Sequence, residues 1–133
     1  MKNLSFISIT SKRYILFSLL SLASVSFMAF HAPQSVMDLV NVQLKNTDAY
    51  SSIKGIYGGA GLTICISLIF LYKNNIELAL IFSMLLWGLY ALSRTTTIFM
   101  EGPLGTFGNQ WIEIVLFTIG LLLLVLNKFL AIK

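Results

Sequence analysis

The sequence has almost none of the residues that form covalent cross-links and soft-metal sites. Its 133 residues include a single cysteine, Cys65, and a single histidine, His31. One cysteine cannot close an internal disulfide or form a Cys-x-x-C pair, and one residue of each type cannot build a Cys/His zinc site. A secreted disulfide scaffold, a zinc domain and a dithiol redox protein are therefore excluded. We expect no metal and no cofactor.

Charged residues are also scarce. They make up 11% of the chain, whereas a soluble protein typically has about 25%. Hydrophobic residues account for 57%, and the mean hydropathy is +0.87. A soluble domain of this length buries only about two-thirds of the surface that its unfolded chain exposes, so it could not hide this much apolar surface. The composition indicates a small integral membrane protein and excludes a disordered chain.

Four apolar runs are each close to the length of a membrane span. Crossing about 30 Å of hydrocarbon takes roughly 20 residues of helix. None of the runs shows the alternation of a barrel strand. The sequence therefore predicts an all-α protein, an integral membrane four-helix bundle that forms a single domain over residues 1–133. The predicted helices cover approximately residues 14–32, 53–72, 76–94 and 111–129.

The first run also has features of a signal peptide, because Lys12 and Arg13 precede it. It is long for an h-region of about 7 to 15 residues, and the sequence around Ala32-Pro33 is a poor cleavage site. We therefore predict that this segment is retained as the first transmembrane helix.

Lys and Arg residues are distributed unequally between the two sides of the predicted helices. Six lie on the side of the termini and three on the other. The six are Lys2, Lys12, Arg13, Lys73, Lys128 and Lys133; the three are Lys45, Lys54 and Arg94. The positive-inside rule then places both termini in the cytoplasm. This bias explains the net charge of +4. The basic residues do not form a cluster with stacking aromatic residues, so we expect no nucleic-acid partner.

The two predicted outer loops differ in their local signals. In residues 33–52, Ser35 followed by Asp38 forms a weak capping box, which predicts a short surface helix there. Residues 95–110 contain Gly102-Pro103 and further glycines, which indicate turns rather than a regular element.

Small residues are concentrated where the second predicted helix begins. Gly55 and Gly59 fall four residues apart and continue to Thr63 and Ser67, so they line one face. Small residues let a neighbouring membrane helix approach closely. We predict helix packing for the glycines of this segment, which are Gly55, Gly58, Gly59 and Gly61. The segment is not a phosphate loop, because it lacks the G-x-x-x-x-G-K-[ST] pattern.

Two ionisable residues are predicted to lie at similar depth near the outer end. Arg94 closes the third helix, and Glu113 lies near the start of the fourth. A charge near the bilayer centre costs roughly 2.5 to 3.5 kcal/mol, and the short glutamate side chain cannot easily reach water. Arginine is a bidentate partner for a carboxylate. We therefore expect Arg94 and Glu113 to form an inward-facing ion pair.

Other polar and aromatic residues are predicted near the same end. They are Lys54, Tyr57, Trp87, Tyr90 and Glu101. One interpretation is a polar, aromatic-walled ligand cavity open to the outer face. The other is a structural ion pair with aromatic anchors at the membrane interface. The sequence leaves both interpretations open.

Several short motifs, in order, resemble a known family. They are Ala32-Pro33, the segment Lys54 to Gly59, Ser93-Arg94, Glu101-Gly102-Pro103 and Glu113. In this order and spacing the chain resembles the bacterial small inner-membrane family catalogued as domain of unknown function 4345. The resemblance implies four transmembrane helices in the inner membrane. It implies no activity.

We favour a non-enzymatic binding or structural protein with a polar site at its extracytoplasmic end. Its expected partners are the lipid bilayer and a small-molecule or lipid ligand, and no catalytic residue is predicted. One alternative is a membrane-embedded enzyme acting on a lipid or isoprenoid-like substrate, with Glu113 or Glu101 as general acid or base. Another is a small transporter subunit, which would require a homo-oligomer.

Overall fold

The computed structural model describes residues 2–131, with side chains from residue 6 to residue 129. All of the regular structure in this range is helical. The helices are α1 (Lys2–His31), α2 (Pro33–Asp38), α3 (Thr47–Ile53), a π-helix (Lys54–Ala60), α4 (Gly61–Asn74), α5 (Ile76–Met100), a 3-10 turn (Gly108–Gln110) and α6 (Ile112–Ala131).

Four stretches of helix are long and apolar enough to cross a membrane. They are Phe6–His31, Thr47–Asn74, Ile76–Met100 and Gly108–Phe129. Large hydrophobic side chains such as Phe17, Phe70 and Leu122 are exposed along them, which suits contact with lipid tails. The structure confirms the prediction of an all-α membrane protein with four spans.

The third span extends beyond the predicted end at Arg94 and reaches Met100. Three threonines follow Arg94, and each hydroxyl donates to the carbonyl four residues earlier at 2.8 to 3.0 Å. Because these hydroxyls form their hydrogen bonds within the helix, the polar threonines can continue α5 beyond Arg94. The helix ends where Gly102 adopts a φ of +112° and Pro103 follows.

The segment that follows the first span also differs from the prediction. Helix α2 begins at Pro33, with Ala32 as its N-cap and no side-chain cap, so the predicted capping box at Ser35 is wrong. Proline is favoured at the first helical position because its ring fixes φ near the helical value. The N–H group that proline lacks would have no partner within the helix at that position. The second span begins at Thr47 rather than near residue 53, because Asn46 caps α3 by accepting from the Ala49 amide at 2.8 Å.

The chain divides into two compact units. The first comprises the described residues up to Leu16 together with those from Leu71 onward, and the second comprises Phe17–Phe70.

In the first unit, α5 and α6 form an antiparallel hairpin, joined by residues 101–111. Arg94 pairs with Glu113 at the end where this loop lies, which we call the loop end. Glu77 and Lys128 lie 3.9 Å apart at the other end of the hairpin, which we call the open end. The early part of α1 packs on α6, where the Tyr14 hydroxyl donates to a main-chain carbonyl at 2.9 Å.

In the second unit, the later part of α1 contacts the π-helix and α4 through glycines. A Cβ on Gly58 would lie 2.9 Å from the Phe30 ring, and a Cβ on Gly61 would collide with the Ser26 hydroxyl. Ala29 is fully buried in a small apolar cluster with two residues of α2, Val36 and Met37. The glycines therefore allow an approach that any larger residue would prevent.

Candidate functional site

The ion pair at the loop end is short and largely shielded. Arg94 Nη2 lies 2.6 Å from Glu113 Oε1, and the two side chains are 20% and 11% exposed. The structure thus brings together Arg94 and Glu113, which were predicted to pair because they lie at similar depth in the membrane. We call this pair and the residues that contact it the clasp.

The local backbone explains how Glu113 reaches this position. Trp111 has a positive φ of 55°, which is unusual for a bulky residue, and its carbonyl accepts from the amides of Ile114 and Val115. The chain reverses there and enters α6, so that Glu113 falls in the first turn. A carboxylate at this position interacts favourably with the positive end of the helix dipole.

Phe107 is the third member of the clasp, and it was not among the residues predicted from the sequence. Its carbonyl accepts a hydrogen bond from Arg94 Nη1 at 3.2 Å, and the guanidinium carbon lies 5.3 Å from its ring centroid. A cation at this distance from an aromatic ring contributes about 0.5 to 1 kcal/mol at an exposed site. Arg94 therefore joins α5 to both α6 and the loop, although no spacing in the sequence relates residue 107 to residue 94.

The second carboxylate oxygen of Glu113 has a different environment. Oε2 is buried and has no hydrogen-bond partner among the described residues. Leaving a buried acceptor unpaired costs about 1 to 3 kcal/mol, and more when the group is charged. The clasp is therefore a monodentate pair with one acceptor position unused within the described residues.

Glu101 lies outside the clasp, on a different surface. It caps the end of α5, where its amide donates to the Thr97 carbonyl, and its side chain is exposed. With Ser93 and Met100 it lines a shallow groove of about 340 Å³. Arg94 pairs with Glu113, and Glu101 faces this groove instead.

The aromatic residues of α5 are neighbours on the helix. The rings of Trp87 and Tyr90 lie 6.3 Å apart between centroids and are tilted by 48°. Tyr90 is 47% exposed, which suits an aromatic residue at a membrane interface.

Lys54 and Tyr57 belong to the second unit, on the π-helix, and both side chains are exposed. The four glycines of this region have unequal surroundings. Gly58 and Gly61 make the close contacts described above, whereas a Cβ on Gly55 would meet nothing within 4 Å among the described residues. A Cβ on Gly59 would approach only a carbonyl of its own helix, at 4.0 Å.

Of the four glycines predicted to pack against a neighbouring helix, Gly58 and Gly61 contact α1 in this unit, and Gly55 and Gly59 contact no other helix among the described residues. Residues three apart and residues four apart both share one face of a helix. The spacing in the sequence therefore could not show which face would meet α1.

The described part of the chain contains no group of three or more His, Cys, Asp or Glu side chains placed to hold a metal ion. The polar chemistry of the clasp thus comes from one guanidinium, one carboxylate and one main-chain carbonyl.

The four apolar spans define the class: this is a multi-pass membrane protein. Residues 11–126 match the model of the family described as domain of unknown function DUF4345, and the chain belongs to this family. The matched range contains both Arg94 and Glu113. No curated protein and no solved structure matches the chain. The family resemblance read from the sequence is confirmed.

Proposed function

We propose that the protein is a non-enzymatic membrane protein that binds a hydroxyl-bearing small molecule or lipid at the Arg94–Glu113 pair. One observation carries this proposal. Glu113 is buried beside a guanidinium, yet its Oε2 atom accepts no hydrogen bond from the described residues.

A purely structural ion pair would be expected to use both carboxylate oxygens. Arginine commonly binds a carboxylate through two parallel hydrogen bonds, which adds energy and fixes the geometry. In the clasp, only Oε1 contacts the guanidinium. The unused oxygen is costly to bury, and a ligand that donates a hydrogen bond to it would remove that cost.

The guanidinium indicates the kind of donor. Arginine has five N–H groups, and the contacts to Glu113 and Phe107 engage one on each terminal nitrogen. A hydroxyl can donate to Glu113 Oε2 and accept from a remaining Arg94 N–H at the same place. A phosphate would be repelled by Glu113, and an ammonium by Arg94. A hydroxyl suits both residues and brings no charge into this largely shielded site.

The positive-inside rule supports an extracytoplasmic location for the loop end. The family resemblance supports the inner (cytoplasmic) membrane of a bacterium. On this proposal, the ligand approaches the clasp from the outer side, past the loop of residues 101–111.

The contact with Phe107 favours a second candidate function, a structural clasp with no ligand. Arg94 binds the loop through both the carbonyl and the ring of Phe107. In this case the pair would serve only to hold the loop against the helix ends. For the enzyme alternative, with Glu113 or Glu101 as general acid or base, the two carboxylates lie apart, because Glu101 lines the separate groove on α5.

Native mass spectrometry of the protein released from membranes in mild detergent distinguishes the two candidates. We expect the wild-type protein to retain a bound small molecule or lipid with a hydroxyl group. Glu113→Gln should lose that mass, because its side chain has an NH2 donor in place of one of the two carboxylate oxygens that accept hydrogen bonds. Glu101→Gln changes an exposed carboxylate outside the clasp and should keep the mass. Equal retained masses in all three proteins would overturn the proposal and leave the structural clasp.

A further inference from the structure

A cavity of about 260 Å³ lies at the open end of the first unit, away from the clasp. Its polar lining comes from three helices: Ser8 and Ser11 of α1, Glu77 of α5, and Asn127 and Lys128 of α6. Leu80 supplies an apolar wall. The volume is below the roughly 300 to 1,000 Å³ of pockets for drug-sized ligands, so it suits a smaller group.

Opposite charges line this cavity side by side. Glu77 Oε1 and Lys128 Nζ are 3.9 Å apart, and their side chains are 55% and 64% exposed. Such an exposed pair contributes only about 0 to 1 kcal/mol. Each charge can therefore exchange its weak partner for a ligand group of opposite sign at little cost.

The uncharged part of the lining is held in a fixed geometry. Asn127 Nδ2 donates to Ser11 Oγ at 3.0 Å and to the Leu123 carbonyl at 2.8 Å. These two bonds engage both amide N–H groups, so the amide oxygen Oδ1 remains as an acceptor. Ser11 itself is 3% exposed. Asn127 lines the same cavity as Glu77 and Lys128, so this fixed amide belongs to the same lining as the two charged residues.

The position of the cavity along the spans also matters. Glu77 is the second residue of the span Ile76–Met100, directly after the turn between α4 and α5, and Lys128 of α6 lies beside it. Charged side chains are costly within the hydrocarbon. The two charged residues therefore suit the level at which lipid headgroups lie.

We propose that this cavity binds a phosphoethanolamine group, whose ammonium is held by Glu77 and Asn127 Oδ1 and whose phosphate is held by Lys128. A group with only a negative charge would face repulsion from Glu77, and one with only a positive charge would face repulsion from Lys128. The zwitterion satisfies both residues. It is present in a phospholipid headgroup and in soluble O-phosphoethanolamine. The proposal does not depend on the clasp.

The test uses native mass spectrometry of the full-length protein in detergent, titrated with single lipids. Phosphatidylethanolamine should bind more tightly than phosphatidylmethanol, which has neither an ammonium nor a hydroxyl that could bind at the clasp, and than phosphatidylcholine, whose ammonium has no N–H to donate. Glu77→Gln and Lys128→Gln should each weaken phosphatidylethanolamine binding by up to about fivefold, because each removes one charge contact at an exposed site. Lys73→Gln, which removes an exposed charge outside the cavity lining, should leave binding unchanged.

A parallel titration with O-phosphoethanolamine identifies the source. If only the lipid binds, the ligand is a headgroup; if the soluble compound binds equally well, it is a free zwitterion. Equal affinity of wild type and both Gln variants for phosphatidylethanolamine would overturn the proposal. Because both side chains are exposed, thermal melting should show that the variants remain folded.

Discussion

The hydroxyl of Tyr14 on α1 donates to the main-chain carbonyl of Leu116 on α6, 2.9 Å away and 102 positions later in the chain. Gly120 makes this contact possible, because a Cβ there would lie 2.6 Å from the same hydroxyl. Within the first unit, the early part of α1 is thus attached to α6 by a buried hydrogen bond that needs a glycine one turn further along α6.

Replacing Tyr14 by Phe should remove this bond and leave the ring in place. We expect the free energy of unfolding to fall by about 1 kcal/mol, the usual net contribution of one hydrogen bond. Reversible unfolding in mixed micelles would measure the loss. Tyr57→Phe, at an exposed ring, is the matched control and should change stability by less than about 0.5 kcal/mol. Equal effects in the two variants would contradict the account.

The glycines of the second unit give a second matched pair. Gly61→Ala should destabilise the protein by about 1 to 3 kcal/mol, because its Cβ would collide with the buried Ser26 hydroxyl. Gly55→Ala should be neutral or stabilising, since nothing among the described residues approaches its Cβ and alanine is the better helix former.

Ser26→Ala provides the rescue for this pair. Removing the hydroxyl should make room for the new methyl group, so Gly61→Ala combined with Ser26→Ala should recover most of the lost stability. Unfolding midpoints for the four variants test this. If Gly55→Ala were as destabilising as Gly61→Ala, the face that carries Gly55 and Gly59 would also be packed, contrary to the contacts described here.

The clasp should show the energetics of a shielded ion pair. Arg94→Met leaves Glu113 without its partner, and we expect a loss of about 2 to 4 kcal/mol, reduced somewhat by the partial exposure of both side chains. Adding Glu113→Leu should recover most of that loss, because two apolar residues can replace a buried pair at little cost. A double-mutant cycle measures the coupling. Additive effects would show that the two charges do not interact.

The orientation can be tested with the single native cysteine removed. In a Cys65→Ala background, Gly105→Cys lies in the loop of residues 101–111, and Asn75→Cys lies in the tight turn between α4 and α5. The charge distribution predicts that an impermeant maleimide labels residue 105 in intact cells and residue 75 only after permeabilisation. The reverse pattern would place the clasp on the cytoplasmic side.

The sequence predicted the spans well, because a membrane restricts the backbone to helices or closed barrels. The ion pair was also predictable, since Arg94 and Glu113 end adjacent spans at one depth and a buried glutamate needs a partner. Phe107 was not, because its contact depends on the path of an irregular loop. The glycines were predicted in part: Gly58 and Gly61 make close contacts, but the sequence could not show that Gly55 and Gly59 lie off that face, because three-residue and four-residue spacings both line a helix.

The central claim is that Glu113 Oε2 receives a hydrogen bond from a bound hydroxyl. A crystal structure of the protein grown from a lipid phase tests it most directly, with the map inspected around this atom. We predict density for a non-protein group larger than a water molecule within about 3.2 Å of Oε2, also in reach of the guanidinium; a lone water there would not meet the prediction. A bidentate pair, with Oε2 bonded to Arg94 and no further density, would contradict the account.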